Sequence, residues 1–219
     1  ETEEEWTLRE VMHTRVLWLI FASMALTGIV IQGTLVYRVS FWTEAGIDPS
    51  VVALGTAFDP FTVVFSALLF GFLAERMRLS HLGLIGGLGV GLSMVPMVIG
   101  GDHAYLLFAH NIIWGASMGA NITVNNLIWP NYFGRRFLGT IRGVSFPVIV
   151  GTAAISSPIF AFLLDGAPEE RYVWLVTLVA FVISGVLLFL ARPPRRGRPT
   201  SRSNQEPVLA GKAVGATAD

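Results

Sequence analysis

Apolar residues run along this chain in six blocks, near positions 16–37, 51–73, 81–100, 104–129, 143–164 and 172–191. Each block is about 20 residues or slightly longer, enough to cross about 30 Å of hydrocarbon as a helix. The polar positions inside the blocks are unevenly spread. The first block carries Thr27, Gln32 and Thr34, and the second Thr56, Asp59, Thr62 and Ser66. The fourth carries Asn121, Asn125 and Asn126, and the fifth Ser145, Thr152, Ser156 and Ser157. The third and sixth are almost bare, with Ser93 in one and Thr177 and Ser184 in the other. Two polar helices followed by one lipid-facing helix, twice over, predict a pair of three-helix units around a shared cavity. The expected fold is therefore an all-α membrane protein with six transmembrane helices over 16–191. An interfacial connector over 1–15 precedes it, and a disordered basic cytoplasmic tail over 192–219 follows.

The stretch from Trp114 to Gly143 concentrates the polar signal. An amide in lipid without a partner is costly, so Asn121, Asn125 and Asn126 must face protein or a water-filled path. Asn121 and Asn125 are four apart and share a helix face with Trp114, Met118 and, roughly, Asn111. The same helix is expected to stop at Pro130 and give way to a basic loop holding Arg135, Arg136 and Arg142.

Composition agrees, at 53% hydrophobic and 14% charged with a mean hydropathy of +0.62. Soluble domains carry about 25% charged residues. Net charge is zero, but the basic residues are segregated. Thirteen lie before the first span, in alternate loops or after the last span, against Arg38 and Arg171 in the opposite loops. Because Lys and Arg are retained on the cytoplasmic side, both termini are expected there, in an integral protein of the plasma or inner membrane.

Several chemistries drop out. There is no cysteine, hence no disulfide or thiolate metal site. His13, His81, His103 and His110 are scattered without metal-ligand spacing, and no nucleic-acid footprint exists. Gly115-Ala116-Ser117-Met118-Gly119 fits a nucleophile elbow only in letters, since it lies inside a helix. Asn121-Ile122-Thr123 is a glycosylation acceptor placed within the bilayer. Gly83, Gly87 and Gly91, at four-residue spacing, predict a close-packing ridge rather than a phosphate loop. No enzyme, cofactor or metal is expected.

Asp59 is the one acid inside a span. An intramembrane carboxylate is a candidate proton carrier. Alternatively, lying just before Pro60, it bonds backbone or pairs with a cation from a half of the protein that this chain lacks.

The run Gly71-Phe72-Leu73-Ala74-Glu75-Arg76-Met77-Arg78 resembles the cytoplasmic loop motif of the major facilitator superfamily, G-x-x-x-[DE]-R-x-x-[RK]. Tyr132-Phe133-Gly134-Arg135-Arg136, followed by Gly139-Thr140-Ile141-Arg142-Gly143, brings the likeness nearer to the branch of monocarboxylate and oxalate–formate carriers. The resemblance covers about 6–194. It implies the C-terminal six-helix half of a twelve-helix transporter, its first, second, fourth and fifth spans lining the cavity. Gly71, Glu75, Arg76 and Arg142 then belong to the cytoplasmic gate, and Glu75 and Arg142 await partners in a missing N-terminal half. Monocarboxylate carriers pair the corresponding Asp with an Arg four residues later, where this chain has Val63.

The expected function is secondary active transport by alternating access. The cavity residues are Gln32, Asp59, Trp114, Asn121, Asn125 and Thr152, and the partners are a small organic solute and the lipid bilayer. A carboxylate is one candidate solute, and Asp59 is the candidate for proton coupling. The alternative is a transport-inactive membrane sensor of the same fold.

Overall fold

The computed structural model describes residues 6–194, so expectations for 1–5 and 195–219 lie outside the described residues. The described chain is all-helical. Its elements are α1 (Leu8–Met12), α2 (Arg15–Glu44), α3 (Pro49–Ala57), α4 (Asp59–Ala74), α5 (Leu79–Ser93), α6 (Val95–Ile99), α7 (Ala104–Phe133), α8 (Leu138–Gly166) and α9 (Glu170–Leu190). Segments α3 and α4 form one span interrupted at Phe58, and α5 and α6 one interrupted at Met94. Each interruption sits two residues before a proline, Pro60 or Pro96, which cannot donate a backbone N–H.

Among the described residues, five helical segments are long and apolar enough to cross a membrane: Arg15–Glu44, Pro49–Ala74, Leu79–Ile99, Leu138–Gly166 and Glu170–Leu190. Helix α7 matches α2 in length, at 30 residues, but carries the asparagines and His110. Loops at one end of the bundle hold Arg76, Arg78, Arg135 and Arg136, while the other end has Glu44 as the last residue of α2 and Asp48, Asp102 and Glu169 in its loops. We call these the basic and acidic ends. At the acidic end Asp48 caps α3. Its carboxylate accepts from the Ser50 hydroxyl and from the Ser50 N–H at 2.8 Å, bonds that hold it below the ordinary carboxylate range.

Two helices outrun their apolar blocks. Helix α2 continues past Tyr37 to Glu44, so Arg38 is a helix residue, 5% exposed, and not a loop cation. Helix α7 does not stop at Pro130 but continues to Phe133, ending where Gly134 takes φ +79°. Proline at 130 deprives the Asn126 carbonyl of its helical N–H partner. The Arg142 guanidinium donates to that oxygen at 2.8 Å. The residue expected to wait for a missing half thus repairs the break in its own chain.

Helix packing follows one order: α4 lies on α7, α7 on α5, α5 on α9, α9 on α2 and α2 on α8. Small residues set the close approaches. A Cβ on Gly87 would come within 2.5 Å of the Gly185 Cα, while Gly83 abuts Leu188 and Gly91 abuts Val182, so the predicted ridge is the α5–α9 seam. The two outer seams match residue for residue. On α4, Thr62 abuts Gly115 of α7 and Ser66 donates to the Ala116 carbonyl. On α8, Thr152 abuts Gly28 of α2 and Ser156 donates to the Ile29 carbonyl at 2.5 Å. Both use a pair of hydroxyls four apart against a glycine and the residue after it.

The core is divided. One apolar cluster, with Leu17, Ile20, Trp129 and Phe133, occupies the basic end, where the Trp6 N–H donates to the Phe133 carbonyl at 3.2 Å and docks the connector. The other, with Trp42, Met94, Trp114 and Trp174, occupies the acidic end. Helices α4 and α8 instead leave long apolar faces uncovered, including Phe61, Phe65, Leu68 and Phe72 on one and Phe146, Val150 and Phe162 on the other.

Candidate functional site

The polar stripe of α7 serves two places. Toward the basic end, Met118, Asn121, Asn125 and Asn126 line a cavity of about 300 Å³ facing α2. Helix α2 supplies Gln32, Thr27 and Gly28 to the opposite wall, and Ile149 and Ala153 of α8 close one side. All three expected asparagines therefore do face a cavity. Gln32, Asn121 and Asn125 are each half-buried, so their amides can meet both protein and solvent. An amide offers a carbonyl acceptor and two N–H donors, so three converging amides can bind a neutral polar solute or the polar end of an acid without burying charge. The volume is at the lower end for small-molecule sites, which run from about 300 to 1,000 Å³.

Toward the acidic end the stripe continues as Asn111 and Trp114, 1% and 2% exposed. Here it meets a charged pair. Arg38 Nη1 lies 2.5 Å from Asp59 Oδ2 and donates to Asn111 Oδ1 at 3.3 Å, with its guanidinium 5.6 Å from the Trp114 ring centre. Asp59 opens α4 at the Phe58 interruption, which carries its carboxylate inward. The contact is a charge pair rather than a set of aligned hydrogen bonds, because both Asp59 oxygens, Arg38 Nε and Asn111 Nδ2 lack an aligned partner. No cation lies one turn from Asp59 along its own helix. The structure supplies one from another helix, 21 positions earlier in the chain.

Of the six expected cavity residues, Gln32, Asn121 and Asn125 come together, whereas Asp59 and Trp114 join the charged cluster. Thr152 packs on Gly28 with its hydroxyl turned to the Val148 carbonyl of its own helix, at 2.7 Å. In the loop motif, Gly71 is open to added atoms and Arg76 lies over the Phe72 ring at 4.5 Å. Glu75 is exposed and has no ion pair among the described residues.

The chain matches no protein-family model and no curated protein.

Two residues escaped the sequence reading. Arg38 ends its apolar block and reads as a loop residue. His110 looks like one of four scattered histidines, yet it is fully buried, and its Nδ1 lies 2.6 Å from the Ser93 carbonyl. A carbonyl only accepts, so Nδ1 carries the hydrogen and the neutral ring keeps its lone pair at Nε2. A signal for His110 was available: it immediately precedes Asn111, on a helix whose polar face had been identified.

Proposed function

We propose that this chain is a six-helix half of a secondary transporter with the major facilitator arrangement, moving a small organic solute by alternating access. The supporting observation is the packing order. Exchanging α2 with α7, the α3–α4 span with α8, and the α5–α6 span with α9 leaves the order of neighbours unchanged. The same exchange carries the Thr62–Gly115 and Ser66–Ala116 contacts onto Thr152–Gly28 and Ser156–Ile29. Two equivalent three-helix units related in this way are how many transporters build a cavity near the middle of the bilayer. The cavity between α2 and α7 lies between the two units.

In this reading Gln32, Asn121 and Asn125 contact the solute, and a second six-helix half covers the apolar faces of α4 and α8. Arg38 and Asp59 form a lock on the extracellular side of the cavity, the basic end being cytoplasmic by the distribution of arginines. Proton coupling through Asp59 then requires the pair to part during the cycle. A carboxylate solute is served by the same event, because Arg38 is released as its partner.

Counterflow uptake in liposomes by the complete protein tests the assignment, with candidate acids and neutral polyols as labelled solutes. Exchange of one solute class, abolished by Asn125→Leu, supports transport. Saturable binding with no exchange for any solute makes the protein a sensor. Orientation is checked by an impermeant maleimide: Glu44→Cys is labelled from outside the cell and Arg78→Cys only after permeabilisation.

A further inference from the structure

A second cavity lies at the basic end, outside the solute site. It holds about 810 Å³ between the α4–α5 turn, the end of α7 and the end of α9. Arg78 and Ser80 line it from the start of α5, Tyr132 from α7, and Arg192 from the segment after α9. We propose that this cavity binds the phosphate group of an anionic ligand at the bilayer surface.

Four observations carry the inference. Arg78 and Arg192 face a common space whose lining includes no carboxylate, and neither side chain has an ion pair or hydrogen bond among the described residues. Two exposed guanidiniums bordering one cavity favour an anion held between them. Tyr132 lines the same space at 6% exposure, and its hydroxyl has no hydrogen-bond partner among the described residues. The hydroxyl keeps access to solvent, and a phosphate oxygen entering the cavity can accept from it. Helix α5 opens into the cavity without a side-chain cap, so its first amide groups add donors of the same polarity. Finally, the cavity is far larger than a phosphate, and beside His81 and Asn131 the rest of its wall is apolar, with Ala74, Met77, Leu79 and Phe189. Phosphate donors beside an apolar wall, at the rim of a helix bundle, match the headgroup and glycerol region of an anionic phospholipid. Free phosphate offers the same chemistry without using the apolar wall.

The test is native mass spectrometry of the delipidated protein titrated with phosphatidylglycerol or phosphatidylcholine, with inorganic phosphate as a competitor. Phosphatidylglycerol should bind more tightly than phosphatidylcholine. The double variant Arg78→Gln/Arg192→Gln should weaken it about 25-fold, roughly fivefold per arginine near the surface. Arg9→Gln, which removes one positive charge elsewhere at that end, should leave it unchanged. Tyr132→Phe, which alters no charge, should cost about threefold and decides the matter if the double variant fails to fold. Displacement of the lipid by millimolar phosphate in the native protein identifies the free ion as an accepted ligand, and resistance to it identifies the lipid alone. Equal binding of the two lipids, or equal losses in the double variant and Arg9→Gln, would overturn the proposal.

Discussion

The cavity between α2 and α7 and the charged cluster beside it draw on the same polar face of one helix, and they are built in opposite ways. The cavity uses neutral amides, half-buried, around open space. The cluster uses a positive and a negative side chain in contact, 5% and 7% exposed. Amides tolerate partial solvation and can exchange one partner for another at little cost, which suits a surface that receives and releases a solute. Charges buried in protein are tolerable only as pairs, and a pair with unsatisfied donors is stable in one arrangement while remaining separable. In the proposed reading, binding and locking are divided along one helix, with about four turns between Asn111 and Asn125.

The largest effect should come from splitting the pair. Asp59→Asn leaves Arg38 buried without its counter-ion, at a cost of about 3 to 5 kcal/mol. The melting temperature in detergent should fall sharply, and Arg38→Gln should do the same. The double variant Arg38→Gln/Asp59→Asn should recover most of the loss. Additive losses in the double variant would mean that the two charges do not act as a pair.

Overpacking the α5–α9 seam should come next. Gly87→Val places a side chain against the Gly185 backbone, where nothing flexible can yield, and overpacking of this kind costs about 1 to 3 kcal/mol. Gly71→Val adds atoms in open space and should leave the melting temperature almost unchanged in comparison.

A smaller effect is expected at the basic end. Arg142→Gln removes the donor to the Asn126 carbonyl and should cost about 1 kcal/mol, the bond being exposed. In a Pro130→Ala background the restored backbone N–H can satisfy that carbonyl, so the same change should cost almost nothing. An equal cost in both backgrounds would disconnect Arg142 from the proline.

The smallest change in stability belongs to the cavity. Asn121→Leu and Asn125→Leu remove amides that solvent already meets, so their melting temperatures should move by the equivalent of less than about 1 kcal/mol. Solute-dependent protection, by contrast, should vanish.

These contrasts also explain which features could be read from sequence. Apolar blocks located the helices because lipid leaves the backbone little alternative to helix. The stripe Trp114, Met118, Asn121, Asn125 was legible because helical periodicity is local, and the α5 glycine ridge for the same reason. Arg38 was not, because its partner lies on another helix and a hydropathy reading ends a span at the first charge. Pro130 misled for a related reason: the local rule stops the helix, whereas Arg142, 16 positions after Asn126, satisfies the Asn126 carbonyl that proline exposes. Local rules failed where a tertiary partner changed the balance.

The division between an open amide cavity and a closed charged cluster is measured most directly by cysteine accessibility, which has no background in a chain without native cysteine. Asn125→Cys places a thiol in the cavity and Asn111→Cys places one beside Arg38, on the same helix and the same face. With a small hydrophilic methanethiosulfonate reagent, the thiol at position 125 should react at a rate approaching that of a surface cysteine, and saturating solute should slow it. The thiol at position 111 should react far more slowly, with no response to solute in the absence of transport. Equal rates at the two positions, or protection at 111 and not at 125, would contradict the account.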